Sequence, residues 1–248
     1  MVASGGSQAI RVTVTSALAT LTYVTQDTAH TLQWDSGTIT EIDSDVTYVG
    51  QTAFSLATFD LDDIGRFFAQ AAALTGSSSR QELQINEFNN GRVLMTVTTT
   101  PESQTIFFRP DGSIIDWLSF TMAAGIREGL SDVTDGTTEV VAIGLTDQGL
   151  YADVAVSPTV IERRTRPTRL PAYSAQRTAT ALGPAFDSSL VDPYVVARLL
   201  SAAPADAARP DTTATMSIDA REGGPPLIHI NVGLASSTYT LAGEQIIS

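Results

Sequence analysis

At 248 residues, with 43% hydrophobic and 17% charged side chains, the chain reads as globular and is long enough to bury one large core or two ordinary ones. Its formal charge is −13 although 14 residues are basic, and every one of those is arginine. That balance excludes a general nucleic-acid binder, because phosphate contacts need net positive surface. The lack of cysteine excludes disulfides, thiol nucleophiles and Cys-ligated metals; the lack of lysine excludes a Walker-type phosphate loop.

In chain order, the polar start "MVASGGSQAI" suits a short linker better than a signal peptide. "GSQAIRVTVTSALATLTYV" then reads as strand, tight turn, strand, and Asp35, Glu41, Asp43 and Asp45 crowd the stretch that follows. From Phe59, "FDLDDIGRFFAQAAALTG" has the apolar spacing of a helix, with Leu61, Ile64, Phe68 and Ala71 on one stripe, Asp60 as N-cap and Gly76 as stop. Three strands follow, joined by "NNG" at Asn89–Gly91 and closed by "RPDGS" at Arg109–Ser113, both turn compositions. Phe107 and Phe108 are adjacent on the last of them and must face opposite sides of a sheet.

The second half repeats this order. "DWLSFTMAAGIREGL", Asp116–Leu130, predicts a helix with Met122, Ile126 and Leu130 on one stripe. "GTTEVVAIGLTDQGLYADV" matches the first strand pair, "VDPYVVARLLSAAP" the helix at Phe59, with Asp192 as cap, Pro193 at its first position and Pro204 as stop. "TTATMSIDA", "PLIHINV" and "STYTLAG" are the three closing strands, and Phe59–Ile115 and Val191–Ile247 are equally long. The expectation is an α+β chain of two tandem repeats, 6–115 and 116–248, each an antiparallel sheet of about five to six strands packed by one or two helices. The first repeat lacks a leading helix, so a helix and a membrane anchor upstream of the start are expected.

Chemistry is scarce. The only histidines are His30 and His229; His229 lies in "LIHINV", sharing a strand face with Leu227 and Asn231, a structural setting. No nucleophile elbow is present. Asp132, Asp135 and Glu139 surround Gly136 but break the spacing of a calcium loop. No metal, cofactor or catalytic residue is therefore expected. One charge feature reverses the trend: "ERRTRPTRLPAYSAQR" places Arg163, Arg164, Arg166, Arg169 and Arg177 in a stretch with no acid between Glu162 and Asp187. Two readings remain open, a structural role against acids of the same molecule and an anion- or partner-binding patch, for which arginine's planar fork is suited.

The helix-then-three-strand segment ending in "FFRPDGSII" resembles PepSY-type modules of bacterial extracytoplasmic proteins. The resemblance implies a non-enzymatic binding or inhibitory module. Arginine in place of lysine, with abundant Ala, Gly, Thr, Asp and Val, fits a high-GC, actinobacterial-type genome. The expected function is a non-catalytic binding or scaffold domain of the cell envelope. Its partner would be an envelope protein or an anionic glycan or lipid, and not nucleic acid. A carrier of a lipid or other hydrophobic ligand, and a hydrolase with an unrecognised site, are the alternatives.

Overall fold

Alternation of apolar and polar residues makes strands the commonest element of this chain, and their pairing builds two large antiparallel sheets. The computed structural model describes residues 8–99, 104–179, 182–203, 214–220 and 223–247; the polar start at 1–7 and Pro204 lie outside that range. The chain divides into two compact units, Met1–Ile115 and Asp116–Ser248.

Unit 1 contains β1 (Ala9–Val14), β2 (Leu18–Thr25), β3 (Thr28–Asp35), β4 (Thr38–Ile42), α1 (Ile64–Thr75), β5 (Glu82–Asn89), β6 (Arg92–Thr98) and β7 (Thr105–Phe108). The seven strands run β4-β3-β2-β1-β5-β6-β7. Val12 pairs with Leu21 on one side and Ile85 on the other, and Ile85 with Met95, which pairs with Phe108. These residues form one row across the sheet, buried under α1 with Phe67 and Ala71. Phe108 meets Phe67 edge-on at 5.1 Å, and Phe107 meets Phe88 on the other face at 5.5 Å. Asn90 and Gly91, both at positive φ, make the tight turn between β5 and β6.

The helix starts later than its stripe predicts. Asp63, not Asp60, is the N-cap, accepting from the Arg66 amide at 3.1 Å, while Asp60 takes the Arg66 guanidinium at 2.9 Å. Two acids compete for one helix end, and the one nearer the first buried residue, Phe67, wins. Gly76 closes the helix at φ 73°.

Unit 2 contains α2 (Ala123–Thr134), β8 (Glu139–Val140), β9 (Ala142–Thr146), β10 (Gly149–Ser157), β11 (Val160–Arg166), β12 (Tyr173–Thr178), β13 (Phe186–Asp187), α3 (Pro193–Ala202), β14 (Thr215–Asp219), β15 (Leu227–Val232), β16 (Ala235–Thr240) and β17 (Gln245–Ile246). Eight strands run β12-β11-β10-β9-β14-β15-β16-β17, and β8 pairs with β13 apart from them. Ile143 pairs with Ala152 and Ile218, Ile218 with Ile228, and Ile228 with Tyr239. This row is buried beneath α2 and α3, which pack on one another. Each of its isoleucines contributes about 2 kcal/mol of transfer free energy. Helix α2 begins at Ala123 rather than Asp116, because Leu118 and Phe120 enter the core as extended chain and the Leu118 amide bonds the Thr168 carbonyl. Met122 is consequently exposed at the N-cap.

The architecture is α+β, as expected, but the sheets hold seven and eight strands rather than five to six. The shortfall comes from edges: all five residues of β4 are exposed, so no apolar alternation marks it. No helix among the described residues is long and apolar enough to cross a membrane.

Candidate functional site on the outer face of the unit 2 sheet

Strands β10 and β11 carry the arginines. Leu150 and Ala152 point to the helices, so Tyr151 and Asp153 point to the outer face. Cross-strand pairing sorts the five arginines the same way. Arg163 pairs with Asp153 and shares the outer face; Arg164 pairs with Ala152, and Arg166 with Leu150, on the helix side. Arg177, opposite Ile161 on β12, returns to the outer face.

On the outer face Arg163 holds the Asp153 carboxylate with two bonds of 2.8 Å, and Arg177 adds a third at 3.1 Å. Asp153 is almost wholly buried. The bidentate bond to Asp153 is the main cause that holds the Arg163 pKa above its ordinary value. The Arg163 guanidinium lies 3.8 Å from the centre of the Tyr151 ring, and that ring lies over Gly144. A Cβ at position 144 would stand 2.5 Å from the ring, so a larger residue there would push Tyr151 from its place beneath Arg163. Burial pushes the Tyr151 phenol above its ordinary pKa; Arg163 and Arg177 oppose this, and Asp153 and Asp219 reinforce it.

Beside this cluster opens a cleft of about 410 Å³, walled by Ala142, Ile161, Ala179 and Pro184, with Asp153, Arg177 and Asp219 as its charged lining. The Arg177 side chain is 51% exposed. In the neighbouring row His229 bonds Thr238 at 3.2 Å through Nδ1, and its Nε2 lies 3.8 Å from Asp219. Hydroxyl, imidazole and carboxylate line up, but the last gap exceeds hydrogen-bond reach. The cleft is lined by Asp219 and not by His229 or Thr238. In unit 1, His30 pairs with Glu41 at 3.0 Å and stacks on Tyr23. Among the described residues no three His, Asp or Glu side chains converge as metal ligands. Asp132 instead pairs with Arg166, and Asp135 forms the left-handed C-cap of α2.

The structure therefore separates the five arginines. Arg166 is fully buried, donating to Asp132 at 2.7 Å and to the carbonyls of Pro167, Leu170 and Asp116. Arg164 bonds Glu162 at 2.6 Å and the last-turn carbonyl of Thr134 at 2.7 Å. Arg169 lies over Trp117 at 4.6 Å. Sequence reasoning missed Asp153, Tyr151 and Asp219. The alternation in "GLYADVAVS" signals that Tyr151 and Asp153 share a face, but which strands flank β10 is not written locally.

The chain matches no protein-family model and no curated protein. Among solved structures it is similar to a Helicobacter pylori beta clamp in complex with 5-chloroisatin, at 8% identity and a TM-score of 0.19, covering 99% of this chain and 57% of that one. It is also similar to the H. pylori beta clamp bound to a DNA ligase peptide, at 10% identity and 0.20, covering 99% and 61%. A third is the DNA polymerase III beta chain of Streptococcus pneumoniae, at 10% and 0.16, covering 97% and 57%. The chain spans about three-fifths of those structures' length, and TM-scores this low carry no argument.

Proposed function

We propose that this chain is a non-catalytic binding or scaffold module built from two equivalent α+β units, and that unit 2 takes a partner at the cleft beside Arg177. The observation that carries the reading of two units is the shared strand order. In both sheets four consecutive strands run outward from the centre, a helix crosses, and the next strands, three in unit 1 and four in unit 2, run outward the other way. Register supports it: Leu21, Val12, Ile85, Met95 and Phe108 occupy the places of Ala152, Ile143, Ile218, Ile228 and Tyr239.

The charge arrangement supports a binding role for the cleft. Asp153 is held by the bidentate Arg163 as well as by Arg177, so the half-exposed Arg177 can turn to a partner's carboxylate at an apolar-walled opening without leaving Asp153 unpaired, while Asp219 keeps the lining from being net positive. A partner presenting a carboxylate next to a small apolar group fits this lip. The same proposal places the module in the cell envelope of a high-GC bacterium. Arginine-only basicity supports the genome, and the PepSY-like segment supports the compartment.

Capture from envelope extracts, with Arg177→Glu as control, tests this reading. A partner retained by the wild type and lost by the variant is expected. Turnover of a substrate that is abolished by His229→Ala would contradict it, and co-purified lipid seen by native mass spectrometry would favour a carrier instead.

A further inference from the structure

Asparagine followed by glycine occurs once in this chain, at Asn90–Gly91. The other asparagines, Asn86, Asn89 and Asn231, precede Glu87, Asn90 and Val232. Asn90 and Gly91 form the whole loop between β5 and β6, because Asn89 and Arg92 pair across it. Both loop residues are exposed, and both have positive φ, 45° and 85°. With no side chain at Gly91, its backbone nitrogen is open to approach by the Asn90 side chain.

That nitrogen is a latent nucleophile. Once hydroxide has removed its proton, it attacks Asn90 Cγ and a new C–N bond forms. The bond from Cγ to the side-chain nitrogen breaks, and ammonia leaves with a proton from water, which returns the hydroxide. The product is a five-membered succinimide. Water opens this ring at either carbonyl, giving aspartate or its β-linked isomer. The net change is one water taken up and one ammonia released.

The fold opposes this reaction at the peptide that reacts. Positive φ at both loop residues is the type I′ turn, in which Asn90 has ψ of about +30°. A planar succinimide eclipses Cβ with the next nitrogen, which for an L-residue requires strongly negative ψ. Ring closure is therefore a flip of the Asn90–Gly91 peptide, from type I′ toward type II′, and the flip swings the Gly91 N–H away. That N–H is held: it donates to Glu87 Oε1 at 2.7 Å, while Glu87 Oε2 takes the Thr52 amide at 2.8 Å. The amides of Thr52 and Gly91 lower the Glu87 pKa. The coupling is reciprocal, so the carboxylate makes the Gly91 proton harder to remove.

We propose that Asn90 is a deamidation site guarded by Glu87, whose carboxylate holds the Asn90–Gly91 peptide in its unreactive orientation. Release of that one hydrogen bond admits both the flip and the attack. The inference rests on unit 1 alone. The product carries one more negative charge, close to Glu87, and the β-linked isomer adds a backbone carbon that disturbs the pairing of Asn89 with Arg92.

The test incubates the full chain at mildly alkaline pH and reads conversion at Asn90 by peptide mass spectrometry. The free peptide of residues 84–95, without Thr52 or a folded turn, gives the unguarded rate. Conversion is expected to be slowest in the wild type. Glu87→Gln leaves an acceptor without charge and should speed it. Glu87→Ala leaves no acceptor and should speed it further, about tenfold or more, the worth of one hydrogen bond to a charged group. Asn231, before a β-branched residue, is the internal standard and should not respond. Asp63→Ala weakens the same unit at the α1 cap, away from the turn, and should leave the Asn90 rate near that of the wild type. Equal rates in the wild type and the free peptide would overturn the proposal, as would equal rates in the wild type and Glu87→Ala. So would an acceleration by Asp63→Ala as large as that by Glu87→Ala, which would name general opening of the unit as the cause.

Discussion

Arg166 is the residue on which unit 2 leans most. A guanidinium with no exposure is tolerable only because a carboxylate and three carbonyls accept its hydrogen bonds. Removing one partner of such a pair leaves the other buried and unpaired, so Arg166→Ala is expected to cost about 3–5 kcal/mol. Denaturant unfolding measures this; a loss near that of an exposed pair would show that the bonds contribute little. Arg177→Ala, at a half-exposed pair, should cost no more than about 1 kcal/mol while abolishing capture of the partner.

Tyr151 offers a pH signature on the same face. Its phenol is held above its ordinary value, near 10, chiefly by burial. The folded state therefore keeps the proton longer than the unfolded chain. This contribution is fully present below about pH 10 and is lost as pH rises through the raised folded value. Phenolate absorbance in a Tyr151→Phe comparison should show one late-titrating tyrosine missing, and the variant should lose less stability over that alkaline window. In unit 1, Glu87 has the opposite sign. It accepts from the amides of Thr52 at 2.8 Å and Gly91 at 2.7 Å, which hold its pKa below the ordinary value. Its stabilisation is present above about pH 4.3 and fades as pH falls through the lowered value, an effect that Glu87→Gln should remove.

At the scale of elements, α1 and α3, which the proposed equivalence pairs, are each capped by one aspartate, Asp63 for α1 and Asp192 for α3. Alanine at either cap should cost about 1 kcal/mol, and the two losses should be alike if the helices do the same work. The helices and their stops were legible because Gly76 and Pro193 have local meaning: a left-handed cap and a first-turn proline. The tight turn at Asn90–Gly91 was legible for the same reason. The start of α2 was not, because Trp117, Leu118 and Phe120 follow helical spacing yet serve an extended segment whose partner, Thr168, lies far along the chain. The candidate site was legible only as a run of arginines. Which of them face the cleft depends on the pairing of β10 with β11, and a single step of register sends Arg163 outward and Arg164 inward.

For the whole molecule, net charge and the proposed equivalence of the two units govern what can be tested. A chain of −13 should not retard duplex DNA at physiological salt, and gel-shift assays check this; a salt-dependent complex would reveal a positive surface that composition hides. The proposed equivalence requires that each sheet join its own two halves in the same register, Val12 beside Ile85 in unit 1 and Ile143 beside Ile218 in unit 2. The measurement that tests this most directly is the set of backbone nuclear Overhauser contacts across β1–β5 and β9–β14 in solution. Both pairs should appear, each flanked by the same sequence of neighbours. A shifted register in one sheet, or another strand in place of β5 or β14, would contradict the equivalence of the units.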